Sequence, residues 1–322
     1  MANKLSQSIM VTGSSGFIGQ NLIRTLKSVG YPVTAVIRQA KSFIDENVYE
    51  VGDINAFTNW FPSLRNVRCI IHAAGKAHAP KKNDRNFLGE CMRINCDSTI
   101  NLAQQAAKAG TSRFIFISSI HVNGHSCLPD EPIRYDSPIN LVDPYGQSKY
   151  EAEVALKEIS ERTGMELVII RPPLVYGPGV KANFSRLIKL AGCGIPLPLE
   201  GINNQRSYVG IDNLTDLIIC CIDNPKAAGG IFLVSDGCDI STPNLIRLIA
   251  NAKGETCRMF KVSGEKLFIC AKLLGITEQI EKLSGSLFLD IRPTCERLNW
   301  FPPNTLEEEL RNIFSNFRKG EI

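Results

Sequence analysis

The chain has 322 residues, of which 44 % are hydrophobic and 21 % charged, with a net charge of +4 at pH 7. Its lysines and arginines form no tracts with interleaved aromatic residues, which argues against nucleic-acid binding. No window of 18 uninterrupted apolar residues and no signal-peptide pattern occur, so we expect no membrane span. The eleven dispersed cysteines lack a C-x-x-C pair and are typical of reduced thiols in a cytoplasmic protein.

Short apolar runs alternate with helical patterns through the first half of the chain. Helices are predicted between the runs, the longest at about 86–108 and 144–161. The predicted strands cover residues 8–12, 33–37, 48–51, 69–73, 114–117 and 167–170. Because these runs are apolar on both faces, the pattern indicates an α/β fold with a doubly wound parallel sheet covered by helices on both sides.

The composition of the sequence changes after Arg171, where prolines and glycines cluster. Further helices are predicted at 243–252, 266–274, 277–283 and 306–317, and residues 231–234 are expected to return to the sheet. A chain of this length favours two lobes over one core. We predict a Rossmann-type dinucleotide-binding domain at 1–171, with later returns at about 205–235. A smaller mixed α/β substrate lobe at 172–322 is interleaved with it.

A glycine-rich loop links the first strand to the first helix. Gly13, Gly16 and Gly19 form a G-x-x-G-x-x-G pattern. Glycines in this position let the backbone approach a pyrophosphate, and the following helix N-terminus supplies free N–H groups. The spacing alone is weak, but its place between a strand and a helix predicts a dinucleotide site.

The end of the second strand bears on which dinucleotide is bound. About 20 residues beyond the last glycine, an acidic residue in such units accepts the ribose hydroxyl of NAD. This chain has Arg38 there. A guanidinium cannot accept that hydrogen bond but pairs with a 2′-phosphate, so NADP(H) is preferred. NAD(H) stays open, with Arg38 stacked on the adenine.

Two further strand ends complete the predicted cofactor site. Asp53 and Ile54 follow the third strand, where they are placed to contact the adenine edge, although Asp53 is also a candidate helix N-cap. The small residues Ala73, Ala74 and Gly75 end the fourth strand and leave room for a ligand in the crevice.

A tyrosine and a lysine four residues apart form the candidate catalytic pair. Tyr145 and Lys149 lie within a predicted helix and therefore share a face. A neighbouring ammonium is expected to lower the pKa of a phenol from its usual ~10. Ser118 and Ser119 end the fifth strand, where a hydroxyl is placed to hold a substrate oxygen.

Together these motifs resemble the extended short-chain dehydrogenase/reductase family, in its epimerase/dehydratase group. The closest resemblance is to bacterial UDP-sugar 4-ketoreductases and 4-epimerase-like proteins. The resembling stretches are Thr12-Gly13-x-x-Gly16-x-x-Gly19, Asp53, Ala73-Ala74-Gly75, Ser118-Ser119, Tyr145-x-x-x-Lys149 and Arg171-Pro172-x-x-Val175-Tyr176-Gly177-Pro178. The narrower match rests on 119–124 and on Gly285-Ser286-Leu287-x-x-Asp290.

The resemblance implies roles for individual residues. Ser119 would be the catalytic hydroxyl and Tyr145 the acid/base, Lys149 would hold the nicotinamide ribose, and Asn95 would be a structural or proton-relay residue. Substrate contacts are expected at Ser119, His121, Asn123, Asn183 and Arg206, the last on the nucleotide diphosphate. Cofactor contacts are expected at Gly13, Ser15, Gly16, Phe17, Ile18, Gly19, Arg38, Asp53, Ile54, Ala73, Ala74, Gly75, Tyr145, Lys149 and Pro172.

Because of two departures from the family pattern, the sequence does not identify the sugar substrate. Asn123 replaces an aromatic residue that often lies near the sugar pocket, and a second diphosphate-binding arginine has no convincing counterpart, Arg292 fitting a different alignment. The resemblance also implies a homodimer.

Three functions follow as hypotheses. The first is NADP(H)-dependent reduction of the C4 keto group of a UDP-linked 2-acetamido-2,6-dideoxy hexosulose in surface-polysaccharide synthesis, such as that of O-antigen. The second is NAD-dependent 4-epimerisation of a UDP-hexose or UDP-N-acetylhexosamine. The third is a non-catalytic NADP(H)-binding regulatory protein, which the intact Ser119, Tyr145 and Lys149 disfavour.

No metal site is predicted. His121 and His125 are four residues apart, but they follow a strand and enclose an Asn-Gly pair. Helical spacing of the two imidazoles is therefore not expected, and His121 is interpreted as a loop residue near the pocket.

Overall fold

The computed structural model describes residues 7–39, 47–77, 86–180 and 183–318. The strands are β1 (Ser8–Thr12), β2 (Val33–Ile37), β3 (Val48–Glu50), β4 (Val67–His72), β5 (Arg113–Ile117), β6 (Glu166–Arg171), β7 (Leu174–Tyr176), β8 (Arg206–Gly210), β9 (Gly230–Leu233) and β10 (Asp239–Ile240). The helices are α1 (Phe17–Ser28), α2 (Phe87–Cys91), α3 (Ser98–Lys108), α4 (Pro144–Thr163), α5 (Asn183–Ala191), α6 (Ile211–Asp223), α7 (Thr242–Lys253), α8 (Gly264–Leu273), α9 (Thr277–Ser284), α10 (Arg292–Leu298) and α11 (Leu306–Arg318).

The main sheet has seven strands in the order β3-β2-β1-β4-β5-β6-β9, and every neighbouring pair is parallel. Ile9 and Val11 pack into one apolar core and Met10 into the other, on the opposite face of the same strand. This two-sided burial explains the continuous apolar runs and confirms the predicted α/β fold. Strand order reverses between β1 and β4, so a crevice opens beyond their carboxyl ends.

A smaller lobe follows β6. Its sheet has the order β10-β8-β7, and a third core forms where α5, α7 and α11 pack together. Within this core Tyr176 stacks on Phe184 with ring centroids 4.7 Å apart. The strand at Arg206–Gly210 belongs to this second sheet, whereas β9 returns to the main sheet. The domain boundary at residue 171 stays a prediction. None of the helices described has the length and apolar character needed to cross a bilayer.

The predicted helix at about 86–108 contains a segment that the sequence pattern does not reveal. Between α2 and α3 the chain winds as a π-helix over Met92–Asp97. Such wider turns occur frequently at functional sites. Asn95, which the family resemblance marks as a structural or proton-relay residue, lies in this segment and is fully buried.

A buried carboxyl group links the last helix to β8 and α6. Glu309 Oε1 accepts hydrogen bonds from the Asn213 backbone N–H at 3.1 Å and from Asn304 Nδ2 at 3.2 Å. Its Oε2 is buried and has no hydrogen-bond partner within the described part of the chain. Burial, reinforced by the nearby negative charge of Asp212, raises the pKa of Glu309 to about 7.

Replacing Glu309 by glutamine is expected to stabilise the protein at pH 8. A raised native pKa means that stability is greatest below the ordinary glutamate value near 4.5 and declines up to about 7. Above about pH 7 the buried, ionised carboxylate of Glu309 lowers the free energy of unfolding by about 3 kcal/mol at most. Urea unfolding from pH 4.5 to 8 measures this dependence, which the variant should lose. Glu307→Gln, an exposed position on the same helix, is the control; a variant less stable than wild type at pH 8 contradicts the assignment.

Candidate active site

The glycine loop lies at the switch point and is closely packed. Gly13 has φ +68°, and a Cβ built on it would lie 2.8 Å from the Ala74 Cα. A Cβ on Gly19 would lie 2.2 Å from the Gly13 carbonyl oxygen. Gly16 caps α1 without any side-chain hydrogen bond, so the first N–H groups of this helix stay available. The loop therefore fits the pyrophosphate of a dinucleotide.

A buried hydrogen-bond chain holds the β4 end against this loop. Thr12 Oγ1 lies 2.7 Å from His72 Nδ1 and accepts from the Ala74 backbone N–H at 3.3 Å. His72 Nε2 lies 2.9 Å from Thr99 Oγ1. Burial lowers the pKa of His72 to about 3, so the ring is neutral at physiological pH. The sequence analysis did not single out His72, because in the sequence it is only one residue near the end of a predicted apolar strand.

The residues predicted to contact the adenosine lie together at the adjacent strand ends. Arg38 Nη1 is 3.6 Å from Asp53 Oδ1, and their side chains are 73 % and 76 % exposed. An ion pair this exposed is weak. Ile54 is half-buried beside them, and Ala73 and Ala74 are half-buried at the β4 end, while Ser15 on the glycine loop is exposed. Their contacts with a cofactor stay predictions.

Tyr145 and Lys149 lie in the first turns of α4, as predicted. Asp143 caps this helix by accepting the Gly146 backbone N–H at 2.7 Å. Gly146 is required here, because a Cβ would lie 2.5 Å from the His121 carbonyl oxygen. The first turn of α4 therefore packs directly against the turn after Ser119, which brings the buried Ser119 hydroxyl to the half-buried phenol.

The pKa of the phenol differs from the sequence-based expectation. Burial raises the pKa of Tyr145 to about 12, and a hydrogen bond from Ser119 offsets this only partly. The predicted lowering by Lys149 is not found, because its Nζ donates to the Ile117 carbonyl at 2.8 Å and lies 4.6 Å from the Phe116 ring centroid. Burial lowers the pKa of Lys149 itself to about 8.

Asn95 connects the π-helical segment to α4. Its Nδ2 donates to Ser148 Oγ at 2.9 Å, and its Oδ1 accepts the Lys76 backbone N–H at 2.7 Å. Ser148 in turn donates to the Tyr145 carbonyl at 2.8 Å. A Cβ on Gly75 would lie 3.2 Å from Asn95 Oδ1 and 3.3 Å from Lys149 Nζ. Asn95 therefore links the β4 end to the turn that carries Tyr145.

A buried ion pair joins α4 to the end of β6, next to Ser118 and Ser119. Arg171 donates from Nε to Glu153 Oε1 at 2.9 Å and from Nη2 to Oε2 at 2.5 Å. Arg171 Nη1 also donates to Asn123 Oδ1 at 3.0 Å, and Ser118 Oγ donates to Glu153 Oε1 at 2.5 Å. Neither Glu153 nor its pairing with Arg171 was foreseen from the sequence.

This pairing bears on the substrate contact predicted for Asn123, which stays a prediction. Its side chain is buried, and its amide also donates to the carbonyls of Ser137 at 3.1 Å and Pro138 at 3.3 Å. With its oxygen held by Arg171, the side chain is directed into the protein. Asn123 therefore shapes the turn after Ser119 from behind.

The other predicted contacts are distributed around the lobes. Arg206 Nη1 donates to the carbonyls of Lys282 at 3.1 Å and Gly285 at 2.8 Å, which ties β8 to the end of α9. Pro172 is buried, and its carbonyl accepts the Ile120 N–H at 3.0 Å. Asn183 begins α5, but its side chain lies outside the described part of the structure. The ligand contacts of all three stay predictions.

The turn at Asn123-Gly124 brings two histidines together beside Tyr145. Gly124 has φ +110°, and the rings of His121 and His125 lie 4.5 Å apart. His121 Nδ1 is 2.8 Å from Asp143 Oδ2, and His125 Nε2 contacts the same oxygen. The His121 ring also meets the Tyr145 ring edge-on, 5.6 Å between centroids. The sequence analysis considered only helical spacing of the two histidines. It therefore missed that a turn can bring both imidazoles to Asp143.

Comparison with known proteins places the chain in a family. The model of the NAD dependent epimerase/dehydratase family matches residues 9–235. UDP-glucose 4-epimerase from Vibrio cholerae is 44 % identical over 317 residues, which span 98 % of this chain and 96 % of that protein.

Two solved structures share the fold. UDP-N-acetylglucosamine 4-epimerase from Bacillus cereus superimposes with a TM-score of 0.77 at 20 % identity, covering 97 % of this chain and 100 % of the other. UDP-glucuronic acid 4-epimerase from the same organism, in complex with NAD, gives 0.76 at 19 % identity and covers 98 % and 100 %. The chain belongs to the NAD dependent epimerase/dehydratase family and is an NAD(P)-dependent enzyme of the short-chain dehydrogenase/reductase type.

Proposed function

We propose that the chain interconverts the C4 epimers of a UDP-hexose or UDP-N-acetylhexosamine. The observation that carries this proposal is the 44 % identity to a UDP-glucose 4-epimerase through both lobes. The grouping of Ser119, Tyr145 and Lys149 beside the glycine loop supports it. The predicted non-catalytic role has no support, because the family is enzymatic.

A nicotinamide dinucleotide fits the residues at the switch point. The loop 13–19, Arg38, Asp53 and Lys149 would hold it, and when bound it supplies a hydride acceptor and donor for the sugar C4. The contribution of the chain is to fix the sugar C4 carbon and its oxygen against that site. Such positioning is worth up to about 7–11 kcal/mol.

Tyr145 is the residue placed to move the proton of the C4 oxygen. With its pKa at about 12 the phenol is protonated, the form that donates to a C4 oxyanion. The oxidation step must first remove the proton of the C4 hydroxyl, which requires the phenolate. A nearby positive charge favours that form, and Lys149 is a buried cation on the same face of α4. Ser119 donates a hydrogen bond to the reacting oxygen, and Arg206 pairs with the diphosphate of the UDP group.

Arg38 favours a second candidate, the NADP(H)-dependent 4-ketoreductase acting on a UDP-linked 2-acetamido-2,6-dideoxy hexosulose. Its guanidinium is 73 % exposed and, among the residues that the structure describes, pairs with Asp53 at 3.6 Å, so it stays able to bind a 2′-phosphate. An epimerase that keeps NAD⁺ tightly bound has no need of a site for the 2′-phosphate. For either reaction we propose a cytoplasmic homodimer that serves surface-polysaccharide synthesis.

The decisive experiment incubates the purified protein with UDP-glucose, UDP-N-acetylglucosamine and UDP-4-keto sugars, each with and without NADPH. Appearance of the C4 epimer by NMR, without net consumption of NAD(P)H, supports the epimerase. Stoichiometric loss of NADPH with a 4-keto sugar supports the reductase and overturns the first proposal. Identification of the nucleotide released on denaturation adds an independent readout.

If the enzyme uses NADP(H), Arg38→Ala is expected to weaken its binding by roughly 10- to 100-fold, the loss of a charged hydrogen bond. The affinity for NAD(H) should change little, since NAD lacks the 2′-phosphate. Fluorescence titration with both reduced cofactors measures the two dissociation constants. Arg65→Ala, at an exposed position away from the strand end, is the control. An unchanged affinity for NADPH removes Arg38 as a phosphate ligand.

A further inference from the structure

We propose that His121, His125 and Asp143 form a binding site for a divalent transition-metal ion, with Zn²⁺ as the best-matched ion, beside Tyr145. Each residue offers one ligand atom, and these atoms lie within 4.8 Å of one another. Both imidazoles are directed at a single carboxylate oxygen, Asp143 Oδ2. Metal binding at this cluster does not depend on which reaction the enzyme catalyses.

The backbone that carries the three ligands is already fixed. The turn between the histidines is anchored by the Val122 carbonyl, which accepts the Asn140 N–H at 3.0 Å, and by the side chain of Asn123. Asp143 uses its two oxygens differently, since Oδ1 caps α4 through the Gly146 N–H and Oδ2 faces the histidines. A ligand oriented by such a second hydrogen bond needs little reorganisation to bind a metal.

The donor set selects a class of ion. Two imidazole nitrogens and one carboxylate oxygen match zinc, which accepts three protein ligands and keeps a fourth position for water. Mg²⁺ and Ca²⁺ prefer oxygen ligands and more of them. Zinc bonds to these donors are about 2.0–2.2 Å, so tetrahedral ligand atoms lie ~3.4 Å apart. The 2.8 Å separation of His121 Nδ1 from Asp143 Oδ2 would have to widen by about 0.6 Å to reach this value.

The cluster is accessible and adjacent to the catalytic phenol. The side chains of His121, His125 and Asp143 are 40 %, 38 % and 20 % exposed, so an ion can enter from solvent. The His121 ring lies edge-on to Tyr145 with centroids 5.6 Å apart. A bound ion would fix this ring against the phenol that exchanges the proton in the proposed reaction. We therefore expect Zn²⁺ to reduce turnover when it occupies the site.

Zinc binding to the full-length protein tests the site directly. Exposed thiols also bind zinc, so the measurement uses a background with Cys193→Ser, Cys238→Ser and Cys270→Ser. Calorimetric titration with ZnCl₂ should show one ion per chain. His125→Ala and Asp143→Asn should each weaken that binding at least tenfold. Asn retains the helix cap, so loss of binding in this variant is not loss of the fold.

Matched controls decide between this site and nonspecific binding. Asp136→Asn removes an exposed carboxylate from the same segment and should leave the zinc affinity unchanged. Equal affinities in the parent, His125→Ala and Asp143→Asn proteins overturn the proposal. The visible spectrum of the Co²⁺ form gives a second readout, since intense d–d bands indicate four-coordinate geometry and should disappear in His125→Ala.

The effect on turnover is measured separately, with each protein compared with its own rate in the presence of a chelator. Zinc should inhibit the parent at concentrations near its dissociation constant and spare His125→Ala in that range. Equal inhibition of both proteins overturns the inhibitory role. Because binding is measured without substrate, failure of the proposed epimerase reaction would leave the calorimetric result unaffected.

Discussion

Replacing Tyr145 by phenylalanine is expected to reduce kcat by roughly 10²–10⁴-fold, the usual contribution of a positioned general acid or base. The variant keeps the ring and its edge-on contact with His121, 5.6 Å between centroids, and loses only the hydroxyl. Cofactor binding should therefore persist. The assay follows turnover of the nucleotide sugar at saturating concentration, and the fluorescence of bound NAD(P)H confirms that the cofactor site is intact.

Tyr150 provides the matched control for this substitution. It lies on α4 five residues beyond Tyr145 and is also half-buried, yet it has no place in the proposed proton transfer. Tyr150→Phe should therefore retain turnover within about threefold of wild type. If Tyr145→Phe behaves in the same way as this control, another group exchanges the proton of the sugar oxygen, and both candidate reactions lose their acid/base residue.

Local sequence signals predicted the fold because the central strands β1, β2, β4 and β5 are buried on both faces. The β1 run, which sends Ile9 and Met10 into different cores, carries that information in consecutive residues. The start of α4 was also predictable from neighbouring residues, because Asp143 suits the N-cap and Pro144 the first turn of a helix. The glycine loop belongs to this class as well, because its spacing follows from contacts within one short segment.

The features missed from sequence depend on contacts between distant segments. Arg171 reaches Glu153 and Asn123, which are 18 and 48 residues away, and none of these spacings is a local signal. The convergence of His121 and Asp143 likewise depends on how a turn packs against α4. The π-helical segment around Asn95 has apolar periodicity close to that of an α-helix. Packing between elements decides these details, and a one-dimensional pattern does not encode it.

The buried ion pair gives the second large effect. Arg171→Met should destabilise the protein by about 3–5 kcal/mol, because it leaves the carboxylate of Glu153 buried without its partner. Glu153 is 0 % and Arg171 2 % exposed, so water cannot replace the lost hydrogen bonds. Chemical denaturation monitored by circular dichroism measures the change. The double variant Glu153→Gln with Arg171→Met removes both charges and should recover part of the loss.

A surface pair shows whether burial is the cause. Lys282 and Glu278 are 58 % and 54 % exposed, and Lys282→Met should change the stability by less than about 1 kcal/mol. If Arg171→Met also changed the stability by less than about 1 kcal/mol, the buried pair would contribute little to folding.

Arg171→Met should also lower kcat in the molecules that stay folded. Glu153 holds Ser118 and Arg171 holds Asn123, on either side of Ser119 in the chain, so the substitution should shift Ser119. Measuring turnover well below the unfolding transition separates this positioning effect from the loss of folded protein.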